Sequence, residues 1–302
     1  GPNWGDEKNS PPIKSGMTDL IYNPVLGRII SFGEYQELYG EYLKVGGNPL
    51  HGFNKENLQI VIDKLQLKES ITENFKKEVK IFCRKFRING ELDDFGKMNV
   101  RGSVDLSRRW RSSSPFHRIP YKFGSVTSEF NCANNDLTDL INSPDTVGGW
   151  FDCRVNKLKS LNGSPKEVES FYCNYNQLTN LVGGPEIVKS NFDCSNNELT
   201  SFEGFPKSIG QDFSFNNNHI RDFKGIPEFA LPDGCRITGR NNPVCEIYQL
   251  FNDPRCIDLI NEYGVIRDGD KVVIDRLLEV YSTLDLPIPE EMSFKFKNYK
   301  II

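Results

Sequence analysis

The chain has 302 residues, enough for about two domains at roughly 150 residues each, and its 37% hydrophobic and 26% charged residues exclude wholesale disorder. A mean hydropathy of −0.49 and the lack of any run of about 18 apolar residues exclude a membrane-spanning helix. The net charge of −4 excludes a global attraction to nucleic acid or acidic membranes.

Residues 1–16, GPNWGDEKNSPPIKSG, are polar and rich in Pro and Gly, and read as a disordered leader. Gly1-Pro2 matches the scar left when a picornaviral-type protease removes a purification tag, so native numbering is expected to begin at Met17. No signal-peptide core occurs in the first 20 residues, which places the expected protein in the cytoplasm.

Residues 17–85 read as a small helical domain. Tyr35, Leu38 and Tyr42 mark one helix. Asn54 caps a second that carries Leu58, Val61, Ile62 and Leu65, and Ile71, Phe75, Val79 and Phe82 mark a third. The segment FRINGELDDFGKMNVRG follows, with Asn89-Gly90 as a tight-turn signal between short alternating runs, and reads as a β-rich cap.

A repeat occupies the middle of the chain. Phe-x-Cys recurs at Phe130/Cys132, Phe151/Cys153, Phe171/Cys173 and Phe192/Cys194, and Phe213/Phe215 continues the series, with spacings of 21, 20, 21 and 21. An asparagine follows each copy (Asn135, Asn156, Asn176, Asn197, Asn218), then an aliphatic (Leu137, Leu158, Leu178, Leu199, Ile220), then a closing proline (Pro144, Pro165, Pro185, Pro206, Pro227). Val104-Asp105-Leu106 fills the strand slot of a degenerate first turn with Arg109 in the Asn position, and Cys235 is expected to start a degenerate last turn.

This order, apolar-x-apolar-x-x-Asn-x-aliphatic at a period in the twenties, is leucine-rich-repeat grammar. The expected fold is an α/β repeat: a leucine-rich-repeat solenoid with a parallel sheet, a β-rich N-terminal cap, and helical N- and C-terminal segments. Residues 86–242 form the solenoid with its cap. Residues 243–302 form a C-terminal cap of two or three helices, marked by Ile247, Leu250 and Phe251, by Ile257, Leu259 and Ile260, and by Ile274, Leu277, Leu278 and Tyr281.

Alternation along a strand points Phe and Cys inward and leaves the residue between them outward, and stacking the turns lines the cysteines into one buried column. The asparagines form a second column, where an amide side chain satisfies backbone groups of the loop leaving the strand. Four of the eight cysteines keep the repeat period and no Cys-x-x-Cys pair exists, so they read as reduced, compact apolar residues of a reducing compartment, with no metal or disulfide role.

The run VDLSRRW through IPYKFGSVTSEFNCANNDLTDL, with copies such as FYCNYNQLTNLVGGPEIV and the later NNPVCEIYQLFNDPRCIDLINEYGVI, resembles the short Phe-x-Cys leucine-rich-repeat proteins of large-genome tailed bacteriophages over residues 86–265. That resemblance implies a phage-encoded protein-interaction role in the cytoplasm of the infected bacterium.

No catalytic residue is expected. His51, His117 and His219 sit in no nucleophile or zincin pattern, and GGNPLHG and LNGSPKEV lack the Lys-Ser/Thr of a phosphate loop. Asp152 and Asp193 are imaginable as an acid and base pair, but an acidic stripe on a binding sheet is the reading preferred here. No cofactor or metal is expected.

The outward row, Asp105, Asn131, Asp152, Tyr172, Asp193, Ser214 and Arg236, is followed by Arg154, Asn174, Ser195 and Asn216 and flanked by Trp150 and Tyr175. The expected partner-binding residues are Trp150, Asp152, Arg154, Tyr172, Asn174, Tyr175, Asp193, Ser195, Ser214 and Arg236, since aromatics ringed by polar groups compose interface hot spots. The chain therefore reads as an adaptor or inhibitor that binds a bacterial host or defence protein, with the helical N-terminal domain as a second contact.

The alternative is a nucleic-acid-binding protein that uses residues 76–122, where thirteen Lys/Arg stand against five Asp/Glu. Arg84, Lys85, Arg87, Arg108, Arg109 and Arg111 would carry it.

Overall fold

The computed structural model describes residues 20–23, 28–31, 73–93, 96–108, 114–290 and 293–302. The chain divides into two compact units, Gly1–Ile71 and Thr72–Ile302. In the first, strands β1 (Leu20–Asn23) and β2 (Arg28–Ser31) pair antiparallel. This hairpin lies in the segment expected to be helical, whose helices at 35–42 and 54–65 fall outside the described residues.

The second unit opens with helix α1 (Glu73–Phe86), the third of the expected helices. Its Phe75 and Phe82 meet the ring of Tyr121 edge-on, at 5.8 and 5.0 Å between centroids. The remaining elements follow in chain order. They are β3 (Gly90–Leu92), β4 (Met98–Val100), β5 (Val104–Asp105), β6 (Phe123–Val126), β7 (Phe130–Asn131) and β8 (Thr146–Val147). Next come β9 (Phe151–Asp152), β10 (Glu167–Val168), β11 (Phe171–Tyr172), β12 (Ile187–Val188), β13 (Phe192–Asp193), β14 (Ser208–Ile209), β15 (Phe213–Ser214) and β16 (Ile237–Thr238). Helices α2 (Cys245–Tyr248) and α3 (Arg255–Tyr263), strands β17 (Ile266–Arg267) and β18 (Lys271–Val272), helix α4 (Ile274–Thr283) and strand β19 (Lys300–Ile301) complete the chain.

The repeats build a solenoid with two ladders, one continuous and the second broken between β8 and β10 into the sheets β3-β4-β6-β8 and β10-β12-β14. The expected ladder has seven strands in the order β16-β15-β13-β11-β9-β7-β5, all parallel, and its register stacks Phe130, Phe151, Phe171, Phe192 and Phe213. Rings of Phe130, Phe151 and Phe171 follow one another at 5.4 Å and 12°, and the whole column is sealed from solvent. The second ladder was not expected from the sequence. Its strands β6, β8, β10, β12 and β14 carry Val126, Val147, Val168, Val188 and Ile209 inward, and a two- or three-residue corner leads from each into the next Phe strand. Strand β3 ends this ladder by pairing antiparallel with β4, which makes it the cap. The reversal lies at Asp93–Lys97, where Asp93 N–H bonds Lys97 O at 2.9 Å, and not at Asn89-Gly90, because Gly90 is already in the strand.

The asparagine column locks the turns together. Asn156 Nδ2 donates to Cys132 O and Cys153 O at 3.1 and 3.0 Å, while its Oδ1 accepts Leu137 N–H from the preceding turn at 2.9 Å. Asn176, Asn197 and Asn218 repeat the pattern, each accepting the backbone N–H of Leu158, Leu178 or Leu199 at 3.0 Å. Asn242 extends the column by one turn, accepting Ile220 N–H at 3.0 Å. The closing Gly-x-Pro has a steric cause: Gly163 holds φ +99°, and a Cβ there would stand 2.4 Å from Leu140 O.

The last turn is longer than the regular ones that precede it. Register pairs Phe213 with Ile237 and Ser214 with Thr238, so Ile237 and not Cys235 takes the inward slot. The C-terminal segment is mixed, with three helices and the three-stranded sheet β17-β18-β19, instead of the helical cap expected. It closes the solenoid through Tyr299 OH on Arg221 O at 2.7 Å and Asn261 Nδ2 on Phe223 O at 3.0 Å. Among the described residues no helix is long and apolar enough to cross a membrane.

Two losses gauge this interior. Phe171→Ala is expected to cost about 3 to 5 kcal/mol through transfer and cavity terms. Asn176→Leu leaves Leu158 N–H unpaired and removes one of the two asparagine donors from each of Cys153 O and Cys173 O, and is expected to cost about 1 to 3 kcal/mol. Urea denaturation checks both, and a wild-type midpoint for either variant would contradict the inward assignment.

All eight cysteines are free, and burial pushes the thiols of Cys153, Cys173 and Cys194 well above the ordinary range. Unfolded thiols ionise from about pH 8.5 while these stay protonated, so their contribution to stability is complete below that pH and is lost as pH rises above it. Denaturation at pH 7 and pH 10, with thiol labelling alongside, is expected to show lower stability at pH 10 and labelling limited by unfolding. Fast native-state labelling of Cys153, Cys173 and Cys194 would refute this.

Candidate functional site

Strand parity and register set the outward row as Asp105, Asn131, Asp152, Tyr172, Asp193, Ser214 and Thr238. Arg236 therefore leaves the row. It lies two residues before Thr238, its backbone carbonyl taken by Phe213 N–H at 3.0 Å and its guanidinium paired with Asp212.

Each acidic or amide member of the row folds its own loop. Asp105, Asn131, Asp152 and Asp193 accept, through Oδ1, the backbone N–H two residues on, from Ser107, Ala133, Arg154 and Ser195 at 2.9 to 3.0 Å. Tyr172 breaks this series, since its side chain has no oxygen placed to make that turn.

Asp152 is only 1% exposed although it faces outward, because Arg154 lies over it with Nη2 2.8 Å from Oδ2. Burial raises the Asp152 pKa against the opposing pull of Arg154. The same guanidinium stands 5.8 Å from the centre of the Tyr172 ring, within cation–π range. Asn174 and Ser195 are 8% and 5% exposed, so these two residues, like Asp152, give a partner almost no area. The surface that remains near the centre belongs to Trp150, Tyr172 and Asp193, each half-buried, and to Arg154 and Tyr175, both exposed. Ser214 is half-buried and bonds Thr238 Oγ1 at 2.8 Å.

A feature missed in the sequence lies beside this patch. The residue before each ladder asparagine takes a left-handed backbone, and it is Asn134, Asn196, Asn217 or Asn241 in four turns but Val155 (φ 54°) and Tyr175 (φ 57°) in the two central ones. Asparagine tolerates that conformation, whereas a β-branched valine is strained by it. Asn217 and Asn241 also extend a surface ladder, Asn217 Nδ2 reaching Asn196 Oδ1 at 2.8 Å and Asn241 Nδ2 reaching Asn217 Oδ1 at 2.5 Å. Val155 and Tyr175 instead expose apolar surface, at 41% and 55%. The replacement of a regular asparagine at 155 and 175 was visible in the sequence, but the backbone angle that gives it meaning was not.

The residues of the alternative reading are dispersed. Arg84, Lys85 and Arg87 are exposed at the end of α1 and just beyond it, Arg108 is half-buried after β5, and Arg109 and Arg111 lie outside the described residues. Other cations of the basic segment are committed: Lys97 and Lys122 both hold Asp145, at 2.8 and 2.7 Å, and Arg118 holds Asp139. His219 is exposed and meets Glu198 at 3.1 Å, His117 is exposed, and His51 lies outside the described residues. A groove of about 230 Å³ on the second ladder is lined by Asn89, Glu91, Asn99, Val100, Arg101, Ser125 and Thr127, and the Ser125 hydroxyl there donates to Asn99 Oδ1 at 2.9 Å. Among the described residues no group of three or more His, Cys, Asp or Glu is placed to hold a metal.

No family model, curated protein or solved structure matches the chain.

Restoring asparagine at the strained positions isolates their cost. The pair Val155→Asn and Tyr175→Asn is expected to stabilise the protein by roughly 1 kcal/mol or more, the lower end for relieving left-handed backbone at non-glycine residues. Urea denaturation measures it, and a destabilised double variant would show that the two side chains serve the fold.

Proposed function

We propose that this solenoid is of the leucine-rich-repeat type and that it is a protein-interaction module whose outward Phe-strand face binds a protein partner. The period of 20 or 21 residues, the asparagine ladder and the buried columns beginning at Leu137 and Leu140 support the repeat type. The observation that carries the function is the central pair of turns. There alone the left-handed position before the ladder asparagine carries an apolar side chain, which stays exposed, beside Tyr172 and Trp150; Phe229, also left-handed and exposed, lies outside that position. Backbone strain that gives no packing in return marks surface kept for another molecule.

The resemblance to short phage-encoded repeat proteins makes a bacterial host or defence protein the proposed partner, in the cytoplasm of the infected cell, with the chain acting as adaptor or inhibitor. Eight free cysteines fit a reducing compartment. Residues 17–85 supply a proposed second contact. The face is read as binding without turnover.

The test begins with affinity capture from expressing bacteria, with and without nuclease, so that nucleic-acid bridging through Arg84, Lys85 and Arg87 is separated from protein contact. The double variant Trp150→Ala with Tyr172→Ala is then expected to weaken binding of the captured protein by at least about 2 kcal/mol while its melting temperature stays near wild type. Undiminished binding, or binding that vanishes with nuclease, would contradict the reading.

A further inference from the structure

Asp152 and Asp193 flank Tyr172 in register and make the same turn, but they differ two residues on. Asp152 is followed by Arg154, whose guanidinium pairs with it at 2.8 Å and stands over the Tyr172 ring. Asp193 is followed by Ser195, which is too short to do either and is occupied in accepting Asn216 N–H at 3.1 Å. No lysine or arginine pairs with Asp193 among the described residues, and the half-buried carboxylate bonds one backbone N–H alone. The face thus holds one complete carboxylate, guanidinium and ring unit and, on the other side of the same ring, a unit that lacks its cation.

Asn174 adds an independent sign of a missing donor. It lies two residues beyond Tyr172, on the same face of the strand edge, between Arg154 and Ser195 of the neighbouring turns. Its side chain is 8% exposed, and its Oδ1 is enclosed without a hydrogen-bond partner. Buried amide oxygens are nearly always bonded, so the site is short of donors as well as of positive charge. A guanidinium supplies both, with a planar fork that pairs bidentately with a carboxylate and stacks on an aromatic ring.

We infer that the Asp193 side of Tyr172 is a pocket for an arginine side chain of the partner protein, seated between the Tyr172 ring and the Asp193 carboxylate with the Asn174 amide turned to meet it. This inference rests on the interface reading and specifies its chemistry. The partner is expected to present an exposed arginine at the centre of its contact surface, and the Arg154 unit shows the geometry the pair adopts.

The probe is N-acetyl-argininamide, titrated at low salt into the full chain with its tyrosine rings isotopically labelled, Tyr172→Phe assigning the signal. A saturable shift of the Tyr172 ring is expected, and the uncharged isostere N-acetyl-citrullinamide is expected to bind about tenfold more weakly or worse. Asp193→Asn is expected to weaken the arginine probe by about tenfold, the scale of a charge-assisted bond. That variant keeps the fold, because Asn131 makes the same turn with an amide. Equal binding of the two probes, no response at Tyr172, or unchanged affinity in Asp193→Asn would overturn the pocket. The two readings fail separately: loss of the pocket with partner binding still sensitive to Trp150 and Tyr172 leaves the interface standing, whereas partner binding indifferent to both removes the interface itself.

Discussion

One buried amide per turn makes this fold possible. The strands are only two residues long over most of the solenoid, too short for ladder bonds alone to satisfy the backbone where the chain leaves the sheet. Each asparagine of the column closes the gap, donating to the carbonyls of its own strand and its predecessor and accepting an N–H from the turn before. One N–H that would otherwise be buried unpaired is satisfied by each side chain, every strand carbonyl is shared by two successive asparagines, and the contact joins successive turns. The period follows from that geometry, as does the left-handed residue that precedes each asparagine. Inside this frame the phenylalanine rings and the small cysteine thiols fill the volume between two ladders.

Because the interior is fixed so strictly, departures from it carry information. Flanking turns place asparagine at the left-handed position, the low-strain solution, and from Asn196 to Asn241 these asparagines bond one another. The two central turns give it up for Val155 and Tyr175, and the same region replaces the outward Asp or Asn with Tyr172. Register then sets Tyr172 between one carboxylate that has its arginine and one that has none. Sheet parity, local strain and charge imbalance meet in one place, and their agreement is the physical basis of the functional reading.

The Phe-x-Cys and asparagine columns were legible in the sequence because each demands one residue type at one spacing. The second ladder was hidden. Its strands show only one inward Val or Ile per turn, while the outward partner varies through Thr146, Glu167, Ile187 and Ser208. Arg236 was misplaced because the last turn carries an insertion and Cys235 imitates a repeat position. The burial of Asp152 is not legible in the sequence, because strand parity gives the direction of a side chain and says nothing of a long neighbour lying over it. Asn89-Gly90 has the composition of a tight turn, but Gly90 is required in the strand, where a Cβ would stand 2.9 Å from the Met98 side chain.

Amide hydrogen exchange of the free protein tests the central claim most directly. If the asparagine column holds the turns together, the N–H groups of Leu137, Leu158, Leu178 and Leu199, each donating to a ladder Oδ1, belong to the slowest class and exchange only through global unfolding. Exchange of these four at the rate of the exposed turns around Gly163 and Gly204 would contradict the account, since the amide ladder would then be a consequence of the stacked sheets and not the contact that holds them.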